Sequence, residues 1–211
     1  MKEIYVGIDP SINSTGVTVN VYDDGNLIYE HFYIIKPNKL TRKEAAAQKK
    51  YNMLSYYIYN KLDDAYDSHE QEIYKTLSLT DICLKIINII RDVGVKHNVN
   101  DDNIYIGMEG ISYGSSVRTR SIYDLAGLNY LIRYTLIEVD VKNLYILPPT
   151  EVKKFATGIG NCSKDAMINI FRNIYTELVD IPKLDDIADS WFICNYVINY
   201  VRDIKTKKEQ S

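Results

Sequence analysis

Cysteine, histidine, proline and glycine are all sparse in this chain, and each scarcity removes a class of function. Cys83, Cys162 and Cys194 form no CxxC pair, and His31, His69 and His97 have no partner at metal-ligand spacing, which argues against a zinc site and fits thiols kept reduced in a cytosol. The five prolines and ten glycines of the 211 residues do not gather into a linker, so one domain is expected over 1–211. No apolar run approaches the roughly 20 residues of a bilayer-crossing helix. The N-terminus runs into a strand without a basic and apolar leader. The expectation is a soluble, cytoplasmic protein with no membrane partner. There is no Walker A run, no Ser-His-Asp set, no Cys-His pair and no internal repeat.

Charge is close to balanced, with a formal net charge of -3. That counts only weakly against a nucleic-acid partner, because a cluster of metal-binding acids adds negative charge that bound ions offset. The basic residues gather at Arg118 and Arg120, at Lys153 and Lys154, at Lys164 and in the tail from Lys205 to Lys208. Tyrosine is abundant, 19 against four phenylalanines. Aromatic rings can stack on bases, but a chain also rich in Ile, Asn, Lys and Asp reads more simply as the product of an AT-rich coding sequence.

Hydrophobic patterning predicts strands at 3–9, 15–22 and 27–35, the last two joined through Asp24-Gly25, a hairpin signal because the turn needs positive φ. From 40 to 93 the pattern reads as helical, broken near 63–68, with a polar middle that looks like an insertion at about 40–80. A strand at 104–109, a helix at 121–138 and a short strand at 144–147 follow. Thr150 is the expected N-cap of a brief helix through 155, Ser163 caps a helix over 164–179, and the last helix spans 184–201. The fold class is α/β: a mixed five-stranded sheet, three antiparallel strands then two parallel, flanked by helices.

Within this pattern the acids stand out. Asp9 ends the apolar run Ile4 to Ile8, and Glu109 ends the run Ile104 to Met108; a carboxylate closing a strand buried on both faces is costly unless a cation or hydrogen bonds hold it. Asp186 and Asp189 lie three apart on the last helix and so share a face. On its own, a DxxD pair at a helix start is as well explained by the helix dipole, and Asp185 competes with Asp186. Acids brought from separate elements to one place are how proteins hold Mg²⁺ at phosphate chemistry. Between them, Gly158 and Gly160 precede Ser163 and Lys164, a helix start fit for an anion, although an ordinary capped turn would read the same way.

Together these residues resemble the RuvC family of Holliday junction resolvases, its bacteriophage-type members in particular. Gly7-Ile8-Asp9-Pro10-Ser11 through Thr15-Gly16 is similar to the family's first motif, Glu109 to its second acid, and Asp186-Ile187-Ala188-Asp189 to its last motif; Lys153 and Lys164 match two lysines eleven apart. The resemblance implies a ribonuclease H-like fold and a homodimer that nicks four-way DNA junctions in recombination and repair. It also implies Mg²⁺ as cofactor, two ions per site, with Mn²⁺ able to substitute. Asp9, Glu109, Asp186 and Asp189 would then be the metal ligands, with Lys153 and Lys164 at the scissile phosphate. Ser11, Tyr113, Arg118, Arg120 and Lys154 are further expected DNA contacts. A phage-encoded chain would act in the host cytoplasm. Where the family's cellular members carry a wedge Phe after the second acid, this chain has Ser112, with Tyr113 beside it to stack in its place. Two other readings stay open: a catalytically silent junction-binding scaffold, and an ATP-binding protein of the actin and sugar-kinase type, against which Pro10 replaces the phosphate-loop glycine.

Overall fold

The computed structural model describes residues 1–61, 67–111, 119–178 and 180–209. Its centre is a six-stranded sheet in the order β4-β3-β2-β1-β5-β6. The strands are β1 (Lys2–Asp9), β2 (Thr15–Asp23), β3 (Asn26–Pro37), β4 (Leu54–Tyr59), β5 (Ile104–Glu109) and β6 (Asn143–Leu147). β1, β2 and β3 form an antiparallel meander, and β5 and β6 join β1 in parallel. The β2–β3 turn is the expected two-residue hairpin, with Asp24 at φ 46 and Gly25 at φ 81, both positive as that turn requires.

The sheet is larger than expected, because β4 lies inside the stretch read as helical. That stretch resolves into α1 (Arg42–Lys50), β4 and α2 (Ser68–His97). β4 pairs in parallel with β3, and its burial alternates at Leu54 and Tyr56. The six residues Leu54–Tyr59 are rich in tyrosine, so a short β-type alternation was hidden between longer helical patterns. Thr41 starts α1 with a capping box closed by Glu44, and the buried Glu44 carboxylate takes the Lys36 ammonium at 2.8 Å.

Helices cover both faces of the sheet. On one, Ile4, Val6 and Ile8 pack against α2 and against α3 (Thr119–Glu138). On the other, Tyr5, Phe32 and Ile34 pack against α5 (Lys164–Ile174) and α6 (Leu184–Glu209). Burial on both faces explains why β1 and β5 read as unbroken apolar runs rather than as alternating ones. α4 (Pro149–Thr157) has Pro148 and not Thr150 at its N-cap, since Pro149 supplies the fixed φ that suits a first helical residue. Ser163 does cap α5, its hydroxyl accepting from the Ala166 amide at 3.3 Å. α5 stops at Ile174, short of the expected end, and α6 runs on to Glu209.

Candidate metal centre

Strand parity aims the two strand-borne acids. Ile4, Val6 and Ile8 face α2 and α3, so Tyr5, Gly7 and Asp9 face α6; on β5, Ile104, Ile106 and Met108 face the first side, leaving Glu109 on the second. The parallel register pairs Ile8 with Met108, which sets Asp9 beside Glu109. Their carboxyls are near enough for the charge on Glu109 to raise the pKa of Asp9, an arrangement that favours a proton or a cation between them.

α6 brings the other two acids, and it can do so because Gly7 and Gly16 carry no side chain. A Cβ on Gly7 would lie 2.0 Å from the Ser190 carbonyl oxygen, and one on Gly16 would lie 2.2 Å from the Asp186 carbonyl oxygen. The helix backbone therefore rests directly on β1 and β2. Thr18 and Ser190 fix the contact through a buried hydroxyl pair at 2.9 Å. This seats the first turns of α6, with Asp186 and Asp189, over the strand ends. The sequence reading placed both glycines in a motif but missed this packing role.

The electrostatics are those of too many carboxylates for the cations present. Asp9 and Glu109 keep some exposure at the strand ends, yet protein atoms crowd their carboxyls. Burial, then Glu109 and Asp189, push Asp9 well above the usual carboxylate range. Burial likewise raises Glu109 and Asp189, each partly offset by Lys164 and Lys153. Asp186 is pushed up to about 6 by burial, with the nearby Ser14 hydroxyl offsetting part of the shift. Asp186 Oδ2 and Ser14 Oγ are nevertheless buried without a hydrogen bond of good geometry.

Lys164 reaches back from the start of α5. Its Nζ lies 3.0 Å from Asp185 Oδ2 and 3.2 Å from Asp189 Oδ2. Burial works against its charge, but the two aspartates outweigh that and raise the ammonium's pKa. Glu109, Asp189, Lys153, Lys164 and Val152 line a cavity of about 190 Å³ at this point. A larger cavity, about 460 Å³, opens between the C-terminal ends of α2 and α3, lined by Ile90, Val95 and Leu136; it holds none of the expected site residues.

The donor set is chemically suited to Mg²⁺ or Mn²⁺: four carboxylates, hard oxygen ligands, one of them with an unpartnered buried oxygen. Among the described residues no three acidic, histidine or cysteine side chains stand as a ready-made ligand cluster. Asp9 and Glu109 engage each other and Asp189 engages Lys164, so ion binding requires these acids to exchange partners.

The remaining expected residues divide. Ser11 lies beside the site, its backbone tied to Thr15 through a 2.6 Å bond from the Thr15 hydroxyl to its carbonyl. Lys154 is exposed and does not line the cavity. Arg120 belongs to the first turn of α3, but its side chain, like Tyr113 and Arg118 entirely, lies outside the described residues. Three residues of support went unread in the sequence. Asn129 of α3 donates to the Glu109 carbonyl at 2.8 Å. From β4, the Tyr59 hydroxyl donates to the Ile12 carbonyl at 2.8 Å and the Tyr56 hydroxyl to the Pro182 carbonyl at 2.9 Å. The unexpected strand thus braces both the loop after Asp9 and the loop before α6.

No protein-family model matches the sequence, and no curated protein matches it. Solved structures do. The RuvC structure of Thermus thermophilus is 16% identical at a TM-score of 0.50, over 94% of this chain and 95% of that one. The T. thermophilus RuvC in complex with a Holliday junction substrate matches at 16% identity and TM-score 0.47, over 91% of this chain and 90% of that one. The yeast mitochondrial Holliday junction resolvase matches at 17% identity and TM-score 0.42, over 90% and 75%. At this identity the first likeness shows the fold: a mixed sheet of the RuvC, ribonuclease H-like kind, extended here by β4.

Proposed function

We propose that this chain is a Mg²⁺-dependent endonuclease that cuts branched DNA, four-way junctions in particular, as a homodimer. One observation carries the reading: carboxylates from β1, β5 and α6 converge with Lys164 and Lys153 at one end of the sheet. Asp9, Glu109, Asp186 and Asp189 would hold the ions. Bound there, the ions would supply a water activated for attack and a Lewis acid at the leaving 3′ oxygen. The protein's own part is orientation and charge. The 190 Å³ cavity admits a phosphate-sized group between Glu109 and Asp189, and Lys153 and Lys164 face the negative charge that grows on a phosphate in transfer.

A two-fold junction presents two equivalent scissile phosphates, and a symmetric dimer presents two such sites. α3 offers a face for that contact. Its Leu128, Ile132 and Leu136 are buried, while Tyr123, Tyr130, Tyr134 and Ile137 are 57–71% exposed on the outer side.

The test is incubation of the purified protein with four-way junctions, flaps and linear duplex, with and without Mg²⁺, beside Asp9→Asn. Metal-dependent nicking of the junction, lost in the variant, is the expected result. Junction binding without cleavage would select the scaffold reading, and ATP turnover without either would sink the proposal.

A further inference from the structure

Asp185 stands outside the proposed ligand set, yet its carboxylate is the nearer of the two that hold Lys164, at 3.0 Å against 3.2 Å for Asp189. The pairing has a consequence for ion entry. Asp189 cannot serve an ion and the Lys164 ammonium equally, since a carboxylate oxygen turned to a divalent cation gives up most of its pull on a neighbouring ammonium. If Asp189 were the lysine's single anchor, loading the site would cast Lys164 loose, and a four-carbon stem with a free ammonium loses its place at the cavity.

On the reading of the site given above, we propose that Asp185 is a positioning residue that keeps Lys164 at the cavity mouth while Asp189 passes from the lysine to the metal. The geometry suits the task. Asp185 and Asp189 are four apart on α6, so both flank Lys164 from one side, and the Asp185 side chain is 42% exposed against 21% for Asp189. The inner acid faces Glu109 and the cavity, and the outer one faces solvent. Asp185 therefore competes poorly as an ion ligand and well as a lysine seat. With Asp185 present, Lys164 has somewhere else to go and gives up Asp189 easily. Without it, the lysine leans on Asp189 alone and competes with the ion.

Mn²⁺ titration of the protein without DNA, followed by electron paramagnetic resonance, tests this as a double-mutant cycle. Asp185→Asn is expected to weaken Mn²⁺ binding roughly fivefold when Lys164 is present, and by less than about twofold in a Lys164→Gln background. Asp185→Glu, which retains a carboxylate, should recover most of the affinity. An equal loss in both backgrounds would mean that Asp185 acts only through its charge on the ion, and would overturn the seat while leaving the nuclease reading intact. Parent protein that binds no Mn²⁺ would overturn the seat and the metal centre together. Junction nicking by the same preparation separates the two failures, since it reports on the metal centre and not on the seat.

Discussion

At the scale of single residues, the site is an electrostatic imbalance held in place by packing. An acid whose folded pKa is raised stabilises the fold below its unfolded pKa and loses that contribution as pH rises through the folded value. For Asp186 the window opens near its ordinary 3.8 and closes at about 6, and Asp9, Glu109 and Asp189 are shifted in the same direction. Asp185 runs the other way, because Lys164 outweighs its burial, but it is half-exposed and its effect is small. Burial lowers the pKa of His31 to about 4 and also lowers that of His97, so both stabilise the fold as pH rises through the ordinary 6.5 and oppose the acids between pH 5 and 8. The acids are therefore read as a difference, the metal-free Tm of the parent minus that of Asp9→Asn, which should fall from pH 5 to pH 8, with Mg²⁺ raising the parent's Tm at pH 8. Asp9→Asn, which removes the most crowded charge, should raise the metal-free Tm at pH 8 even as it ends cleavage. A Tm difference between parent and Asp9→Asn that stays flat from pH 5 to 8 would show that these acids do not repel. Lys164 gives a second expectation. On the proposed reading, in which Lys164 faces the reacting phosphate, Lys164→Ala should lower single-turnover cleavage by about 100-fold and junction affinity by only a few-fold. Equal losses in both would reassign it to holding the DNA backbone.

At the scale of elements, the decisive contact is α6 lying bare against β1 and β2. Gly7→Ala would drive a methyl into the Ser190 carbonyl oxygen at 2.0 Å, and neither strand nor helix backbone can yield. A loss of roughly 3 kcal/mol or more is expected, with metal binding lost even where the variant folds. Gly127→Ala in α3 is the control, since the nearest atom to its new methyl is Leu79 Cδ1 at 4.0 Å. That variant should gain about 0.5–1 kcal/mol, because alanine favours a helix interior over glycine. Denaturant melts of the two variants read both effects, and similar outcomes would refute the close-approach argument. β4 belongs to this scale too. The segment around it, read from sequence as a polar insertion, supplies Tyr56 and Tyr59 as ties to the loops on either side of the acids. Its strand was missed because six residues of alternation between two helical stretches carry little weight until a neighbouring strand is there to pair with it.

At the scale of the whole molecule, the sheet is sealed on both faces by helices, and the exposed outer side of α3 is the surface proposed to meet a second copy. Placing a charge there with Tyr134→Glu should shift sedimentation velocity from dimer to monomer and leave the metal-free Tm of the monomer almost unchanged; an unaltered dimer would move the interface elsewhere. No helix among the described residues is long and apolar enough to cross a membrane. Much of this was legible in the chain. The apolar runs ending in Asp9 and Glu109, the Asp24-Gly25 turn and the Asp186/Asp189 spacing are local patterns, set by side-chain parity and helical period, and they fix which elements form and which acids face one way. The remainder depends on partners distant in sequence. That α6 crosses at Gly7 and Gly16, that β4 closes the edge beside β3, and that Lys164 rests between Asp185 and Asp189 are outcomes of which backbones can approach and which charges are left to share. Periodicity carries no trace of these, because a glycine's use and a lysine's partner are decided by what packs against them.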